Sequence, residues 1–536
     1  MEKRFLLATI ISVLILAFWS AIFPAKQPKP PQPLISQNIE NNKVIENKPT
    51  STSLSLVSSS ALLPSAFEEK IEKIETPRII VEFSNIGGMI RKVFLREYDT
   101  AIPVYGMGGA PAYGQLEFIL ERLGAHEIIY RHEASDLVVR RTYTVSADDY
   151  SIEVQTTVQN RDNMSKLIIW KEHGVVLDMS NLDKENGAFT HDRSLFEYVV
   201  SSASGIERKS NAFKFTEKER KDISVNTFWA GFRSRYFCII TKPIYEARGH
   251  SINPLKEKEL QVNISAAEME LAPGAIATFS SLIFVGPEKS DLLAKYKSGF
   301  EEIKRYYRAA LFDAIAKIID SILHGIYKVV RNWGVAIVLV SVIIYLAMYP
   351  LTMRSMASMR KMQELQPKVA TLREKYRDNP QKMNIEVMEL YKKHKINPLG
   401  GCLPMLLQMP VFIGLYQVLW RSVSFKGADF LWIKDLSEPD RLFILPFSLP
   451  FIGNEINLLP VLMIAVMAVQ QKLTEKNMGN LDPAQAAQQK MMVVIMPIFL
   501  GAIFYHFASG LTLYFTLFYA FSTLAQWKMS TVQRVT

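Results

Sequence analysis

Apolar and polar positions follow three different patterns along the 536-residue chain. Short runs in which apolar and polar residues alternate, such as RIIVEF, MIRKVFL and YSIEVQTTV, recur from about residue 76 to residue 287 and predict strands. Apolar positions in residues 300–330 recur every three or four residues, which predicts an amphipathic helix. Uninterrupted apolar runs then dominate residues 333–527 and indicate helices inside a membrane.

The alternating runs predict an exported domain. Gly, Asn and Asp punctuate many short strands, which is typical of an antiparallel β-sandwich, and we assign residues 67–288 to it. The helix at 300–330 lies either on a membrane surface or against a soluble core. We favour the membrane surface, because the helix leads directly into an apolar run.

Six apolar runs are long enough to be transmembrane helices, the fourth only marginally. They cover residues 5–23, 333–352, 401–423, 457–473, 489–507 and 509–527. The first could be a cleaved secretory signal, but nineteen apolar residues exceed the usual signal core, so we expect an uncleaved anchor within residues 1–23. Residues 24–66 are rich in Pro, Ser, Asn and Lys and predict a disordered tether.

The distribution of charge predicts the orientation. The net charge is +10, and the loop 353–399 holds eleven Lys or Arg against five acids, whereas the loop 424–456 holds three against five. Positively charged loops remain in the cytoplasm. We therefore expect the N-terminus, the loop 353–399 and the short tail 528–536 on the cytoplasmic side of the membrane, with the β domain on the opposite side.

Little in the sequence indicates catalysis. It contains no hydrolytic triad, phosphate-binding loop or metal-ligand spacing, so we expect neither an enzyme nor a cofactor. The two cysteines, Cys238 and Cys402, fall on opposite sides of the predicted membrane and could not form a disulfide. Nothing in the charge pattern calls for a DNA partner.

The basic loop 353–399 carries methionines at helical spacing, among them Met356, Met359 and Met362. One interpretation is a helical hairpin whose apolar stripes pack on each other. The other is that the flexible methionine side chains form a docking surface for varied apolar segments. The eleven cations would also suit lipid headgroups or ribosomal RNA.

Polar residues interrupt several of the apolar runs. They include Ser341 and Tyr345, then Gln408 and Gln417, then Gln470 and Gln471, then Thr512, Thr516, Ser522 and Thr523. Hydrogen bonding between helices would explain any one of them, since a polar group in hydrocarbon needs a partner or water. Their presence on four runs favours a shared polar cavity.

Prolines and glycines shape one of these runs. In the stretch NPLGGCLPMLLQMPVFIGLY the prolines Pro398, Pro404 and Pro410 recur every six residues. Each proline inside a helix removes a backbone donor. Gly400 and Gly401 would allow a tight turn from the cytoplasmic loop into the helix.

Four segments together resemble one family, the YidC/Oxa/Alb membrane protein insertases in their Gram-negative form. They are MYPLT (348–352), MQELQPKV (362–369), INPLGGCLPMLLQMPVFIGLY (396–416) and SGLTLYF (509–515). The resemblance implies a membrane insertase and folding chaperone, with five helices in residues 331–527 enclosing a hydrophilic groove that is open to the cytoplasm. The β-sandwich resembles sugar mutarotases and is expected to have no catalytic role in insertion.

The same resemblance implies the groove residues and the partners. We assign the groove to the polar positions Ser341, Tyr345, Gln408, Gln417, Thr512 and Tyr514. The family usually carries an arginine at the position of Tyr345, and here no Arg or Lys occurs between Asn332 and Arg354. Expected partners are nascent membrane proteins, the Sec translocon, membrane lipids and, through the cytoplasmic loops, the ribosome and the signal-recognition machinery.

Two other functions compete with insertion. A secondary transporter would also combine polar residues with proline-interrupted helices. The spans show no inverted repeat, and their interiors hold no Asp, Glu, Lys or Arg to couple ions. A carbohydrate-modifying enzyme on a membrane anchor would leave five spans unexplained.

Overall fold

A computed structural model describes residues 68–532 apart from 103, 105, 110–113, 179–195, 211–219, 255–258, 378, 395, 397–402, 450–452 and 477–482. The predicted anchor and tether lie outside the described residues, as do Pro398, Gly400, Gly401 and Cys402.

The first part of the described chain is built from strands. In chain order they are β1 (Ile71–Glu75), β2 (Ile79–Ser84), β3 (Met89–Leu95), β4 (Thr100–Ile102), β5 (Ile119–Leu123), β6 (Glu127–Glu133), β7 (Leu137–Val145), β8 (Ser151–Asn160), β9 (Lys166–Ile168), β10 (Lys171–Asp178), β11 (Glu197–Ser202), β12 (Gly205–Ser210), β13 (Lys221–Ile223), β14 (Thr227–Arg233), β15 (Phe237–Pro243), β16 (Ala247–Pro254), β17 (Glu259–Ala266), β18 (Met269–Leu271) and β19 (Ile276–Pro287).

A nine-stranded sheet forms the centre of this β-rich unit. Its order is β12-β11-β14-β15-β19-β8-β7-β6-β5, and each strand pairs antiparallel with its neighbours. The sheet β1-β2-β3-β4 and the sheet β10-β17-β16-β13 pack against it and bury a common apolar core. Alternate residues of β7 and β8 are buried, as the period of two requires. The β-rich domain predicted from the alternating runs is therefore confirmed.

The remainder is helical. A one-turn helix, Ser290–Leu293, follows β19, and the longer helices are α1 (Ala310–Val330), α2 (Trp333–Glu364), α3 (Gln366–Lys375), α4 (Pro380–Lys393), α5 (Leu403–Arg421), α6 (Leu458–Lys476), α7 (Pro483–Phe504) and α8 (Ser509–Val532). Two further strands, β20 (Phe443–Leu449) and β21 (Gly453–Ile456), form a hairpin between α5 and α6. A second apolar core lies among the helices.

One described helix, Trp333–Ser355 within α2, is both long and apolar enough to cross a membrane. Leu458–Leu473 and Val494–Phe504 are shorter apolar helices, and part of the predicted span 401–423 lies outside the described residues. The helical region is thus present, whereas the number of six spans stays a prediction.

The basic loop 353–399 differs in one detail from a simple two-helix hairpin. The helix α2 continues through Pro350 and ends at Glu364. Leu365 interrupts the helical path, and α3 begins at Gln366. Pro367 at the start of α3 lacks the backbone N–H that would continue the ladder of α2, which explains the break. The helix α4 begins at Pro380 behind Asn379, whose side chain caps it by accepting from the amide of Lys382 at 3.1 Å.

The β-rich unit and the helices share contacts at the end of α5. Val423, just after α5, packs into the core of the β-rich unit. The guanidinium of Arg235 donates to the carbonyl of Trp420 at 2.7 Å and lies over its ring. Residues 304–309 form a linker before α1. The hydroxyl of Tyr307 in this linker donates to the carbonyl of Ile413 at 2.9 Å. The linker is therefore held between the two parts.

Candidate functional site

Polar side chains from three helices meet α8 between Tyr514 and Ser522. The amide nitrogen of Gln408 on α5 donates to the hydroxyl of Tyr514 at 2.8 Å, and the side chain of Tyr514 is fully buried. The amide nitrogen of Gln470 on α6 donates to the hydroxyl of Ser522 at 2.8 Å. Eight residues of helix correspond to about 12 Å, so the two contacts lie at different depths of the bundle.

Tyr345 approaches the same stretch of α8 from α2. Its ring lies 5.6 Å from the ring of Phe521 and 6.3 Å from the ring of Phe518, measured between centroids. Its hydroxyl is buried and has no hydrogen-bond partner among the described residues. We call Tyr345, Gln408, Gln470, Tyr514 and Ser522 the polar column.

The other predicted groove residues lie apart from these contacts. Ser341 is fully buried, and its hydroxyl donates to the carbonyl of Ile337 in the preceding turn at 2.7 Å. Thr512 likewise donates to the carbonyl of Ala508 at 3.3 Å. Gln417 lies nine residues after Gln408, which is half a turn around α5, so the two amides face opposite sides of that helix.

Gln417 faces the linker rather than α8. It lies beside the hydroxyl of Tyr307, and its amide oxygen is buried without a hydrogen-bond partner among the described residues. The structure therefore brings Gln408 and Tyr514 together, packs Tyr345 against Phe518 and Phe521 on the same helix as Tyr514, and puts Gln417 elsewhere.

The sequence did not indicate the pairing of Gln470 with Ser522. Both residues stand out as polar positions in apolar runs, but spacing along one helix does not tell which neighbouring helix it faces. The signal for this pairing in the sequence is the presence of a polar residue on each of two apolar runs.

The helix-shaping prolines are partly described. Pro410 lies inside the continuous helix α5 and is half-buried, and Pro404 lies in its first turn. Because Pro410 has no N–H, the carbonyl of Leu406 lacks its usual donor within the helix. On another face of α5 the helix packs closely against α1. A Cβ added at Gly414 would lie only 3.1 Å from the Ile315 side chain.

The methionine row of the basic loop is described only in part. Met356 and Met359 belong to α2, but their side chains lie outside the described set, whereas the side chain of Met362 is half-buried. A shallow apolar depression farther along is lined mainly by Ile385, Met388, Tyr391 and Ile396. Among the described residues, no group of three His, Cys, Asp or Glu could hold a metal ion.

A bundle of apolar helices that keeps amides and tyrosine hydroxyls at its centre, joined to a large β-rich unit, defines a helical membrane protein with an extramembrane domain. Two family models match this division: the YidC periplasmic domain over residues 124–319, and the 60Kd inner membrane protein over residues 325–534. The chain belongs to the YidC family of membrane protein insertases.

Two individual relatives agree with this assignment. The membrane protein insertase YidC of Pelobacter propionicus is 32% identical over 96% of this chain and 97% of its own length. That of Geotalea daltonii is 28% identical over 96% of this chain and 97% of its own length. A crystal structure of an active YidC insertase with its first transmembrane domain resolved covers 86% of this chain and 93% of its own, at 19% identity and a TM-score of 0.38.

The protein is a membrane protein insertase of the inner-membrane type with a periplasmic β-rich domain, and its substrates are nascent membrane proteins. No relative supports the alternative of a secondary transporter.

Proposed function

We propose that the polar column lines a hydrophilic groove through which the insertase moves polar segments of its substrates. The observation that carries this proposal is that Gln408 bonds to Tyr514 between apolar helices, while Tyr345 packs against the following two turns of α8. Amides and hydroxyls can donate and accept hydrogen bonds without carrying a fixed charge. They can therefore form hydrogen bonds both with polar groups of a substrate and with water. Ser341 and Thr512 extend the groove lining in this proposal, whereas Gln417, on the opposite side of α5, is left out of it.

Moving a charged side chain to the centre of a membrane helix costs about 2.5–3.5 kcal/mol on insertion scales. A groove lowers this cost by holding water and shortening the apolar path. The buried hydroxyl of Tyr345, without a partner among the described residues, is a group that water would satisfy. Hydration, rather than a buried arginine, therefore carries the mechanism in this chain.

The topology belongs to the same proposal. Six helices cross the inner membrane, and α2, α5, α6, α7 and α8 form the insertase core. The N-terminus and the loop 353–399 face the cytoplasm, and the β-rich domain and the loop 424–456 face the periplasm. A substrate's apolar helix slides along α5 and α7 while its polar segment occupies the groove.

The parts of the chain then divide the work. Residues 1–23 anchor the protein, 24–66 tether the domain 67–288, and α1 within 300–330 rests on the membrane surface. Residues 331–527 insert substrates, without enzymatic chemistry, either alone or beside the Sec translocon. The hairpin in 353–399, with Met356, Met359 and Met362, receives substrates from the ribosome and the signal-recognition machinery, and 528–536 is a short tail.

Cysteine accessibility tests the groove. In a background without Cys238 and Cys402, cysteines at Tyr345 and Gln408 should react with a water-soluble maleimide added from the cytoplasmic side. A cysteine at Leu346, which is 61% exposed on the outer side of α2, is the matched control and should be protected by lipid. Inert cysteines at both groove positions would refute the hydrated groove.

Substitution of Tyr345 provides a functional test. Tyr345→Leu should slow the insertion of substrates with polar tails, because leucine cannot form hydrogen bonds with water. Tyr345→Arg should be tolerated, because the guanidinium can still form hydrogen bonds with water in the groove. The measurement is the insertion rate in reconstituted vesicles at matched protein levels. An unchanged rate for Tyr345→Leu would remove Tyr345 from the mechanism.

A further inference from the structure

The hairpin formed by β20 and β21 exposes large apolar side chains along β20, from its base to the bulge. Phe443, Ile444 and Phe447 are 64%, 68% and 59% exposed. The ladder pairs Ile444 with Glu455 and then Leu449 with Gly453, so residues 445–448 bulge out of it. Pro446 in this bulge cannot donate to a neighbouring strand, which favours the bulge and presents Phe447 outward.

Charge is confined to the base of the hairpin. Residues 442–454 contain no Asp, Glu, Lys or Arg. At the base, Arg441 Nε lies 2.8 Å from Glu455 Oε1, and its Nη2 lies 3.4 Å from Glu438 Oε2. The charges at the base, level with Phe443 and Ile444, are therefore internally paired, and residues 442–454 carry no charge.

Hydrogen bonds fix the base to the ends of two helices. Asp440 Oδ2 accepts from the amides of Leu458 and Leu459 at 2.9 and 3.0 Å, at the start of α6. The amide of Asn457 donates to the carbonyl of Tyr505, just past α7, at 2.8 Å. The Tyr505 hydroxyl donates in turn to the carbonyl of Glu455 at 2.7 Å. The hairpin consequently cannot swing freely away from these helix ends.

The same two helices display apolar side chains outward. Val461 and Leu462 are exposed near the start of α6, and Ile498, Phe499 and Ile503 are exposed towards the end of α7. In a membrane insertase such outward apolar faces meet lipid. The exposed side chains of the hairpin continue this surface at the level where α6 begins and α7 ends.

We propose that the β20–β21 hairpin is a lipid-docking element that inserts Phe443, Ile444 and Phe447 into the periplasmic leaflet. This rests on the topology proposed above, which places the loop 424–456 on the periplasmic side. The unpaired edges of a two-stranded hairpin cannot enter hydrocarbon, so its backbone stays at the headgroups and only the side chains penetrate. The paired charges at its base lie in the headgroup region or in water, and the hairpin fixes the depth of the adjoining ends of α6 and α7.

Fluorescence quenching tests this docking. An environment-sensitive NBD probe is attached to single cysteines in the background Cys238→Ala, Cys402→Ser, with one protein copy per lipid nanodisc. The positions are Phe447→Cys in the hairpin, Asp429→Cys in the same loop, and Phe499→Cys on the outer face of α7. Quenchers are a lipid with a doxyl group near the headgroup, a lipid with a deep doxyl group, and aqueous iodide.

At position 447 we expect shallow-lipid quenching at least twofold stronger than at 429, weaker quenching by the deep doxyl lipid, and several-fold protection from iodide. Iodide quenching at 447 equal to that at 429, with 499 protected, would refute the docking and leave the proposed topology intact. Exposure of both 447 and 499 to iodide would refute the topology itself. Protection at 447 that requires two copies per disc would instead identify an interface between copies and overturn the proposal.

Discussion

Arg233 and Arg421 donate hydrogen bonds to the same oxygen, the backbone carbonyl of Arg305, at 2.7 and 3.1 Å. Arg233 ends β14 in the β-rich unit, and Arg421 ends α5 in the helical core. The carboxylate of Glu288 binds Arg233 through both oxygens, at 2.7 and 2.9 Å. The linker before α1 is thus held jointly by a cation of each part.

Breaking the buried pair of Arg233 and Glu288 should destabilise the protein strongly. Arg233→Met leaves the Glu288 carboxylate buried without its partner, which costs about 3–5 kcal/mol. The double variant Arg233→Met, Glu288→Leu removes both charges and should lose much less. Chemical unfolding of the full chain in detergent measures both, and a double variant as unstable as the single one would contradict the expectation.

The hydrogen bond from Gln408 to Tyr514 should contribute modestly to stability. Tyr514→Phe and Gln408→Leu each remove it, and hydrogen bonds between membrane helices contribute about 0.6 kcal/mol on average and up to about 1.7 kcal/mol. A double-mutant cycle on thermal unfolding should give a coupling energy within that range. Ser341→Ala, which removes a bond within one helix, is the control and should not couple to Tyr514→Phe.

The sequence predicted the types of elements far better than their mutual contacts. Alternation of apolar and polar residues identified β7 and β8 because one face of each strand must be buried. The apolar run around Tyr345 identified α2 for a similar reason. Both signals depend only on which residues of a single element are buried, and the order of apolar and polar residues shows this directly.

Contacts between elements left no such signal. Gln417 and Gln408 look equivalent in the sequence, yet half a helical turn separates their faces and only Gln408 reaches Tyr514. The sharing of one carbonyl by Arg233 and Arg421 depends on folding of residues nearly two hundred positions apart. Such pairings follow from tertiary packing, so the site could be predicted as a set of residue types and not as a geometry.

An ion cluster at α1 should make stability depend on pH. Lys304 Nζ lies 2.9 Å from Asp320 Oδ2, and His324 Nδ1 lies 3.3 Å from Asp320 Oδ1. Burial raises the pKa of the Asp320 carboxyl, but the neighbouring imidazole of His324 and the charge of Lys304 outweigh it and lower that pKa to about 2. Burial likewise lowers the pKa of His324, and Asp320 outweighs it and raises the pKa above its usual 6.5.

The two shifts act in opposite pH ranges. Ionised Asp320 stabilises the fold above its usual pKa of 3.8, and this contribution is lost as the pH falls towards 2. Protonated His324 stabilises the fold below pH 6.5, and this contribution is lost as the pH rises through its raised pKa. The stability difference between the native chain and His324→Gln should therefore be largest at about pH 5 and shrink by pH 9. A difference that grows with pH would contradict this assignment.

Removing the β-rich unit should weaken the protein without abolishing insertion. Deletion of residues 76–287 removes Arg233 and Arg235 but retains the linker and α1, which bind α5 through the Tyr307 hydroxyl and Ile413 carbonyl. We expect a lower thermal midpoint because Val423 loses its packing. Complementation of insertase-depleted Gram-negative cells measures function, and its loss at normal protein levels would show that the unit takes part in insertion.

Charged substitutions in the methionine row would distinguish two roles of the basic loop 353–399. Replacing Met356, Met359 and Met362 by Asp places charges along the continuous helix α2 beyond Pro350. If these side chains receive apolar substrate segments, insertion should fall several-fold while protease resistance of the hairpin stays unchanged, because a charged surface no longer binds apolar segments. If they form the hairpin core, protease sensitivity should rise in step with the loss of insertion. The matched control is the double variant Ile385→Asp, Met388→Asp on the exposed face of α4. Both side chains are more than half exposed, so this variant should leave the hairpin folded.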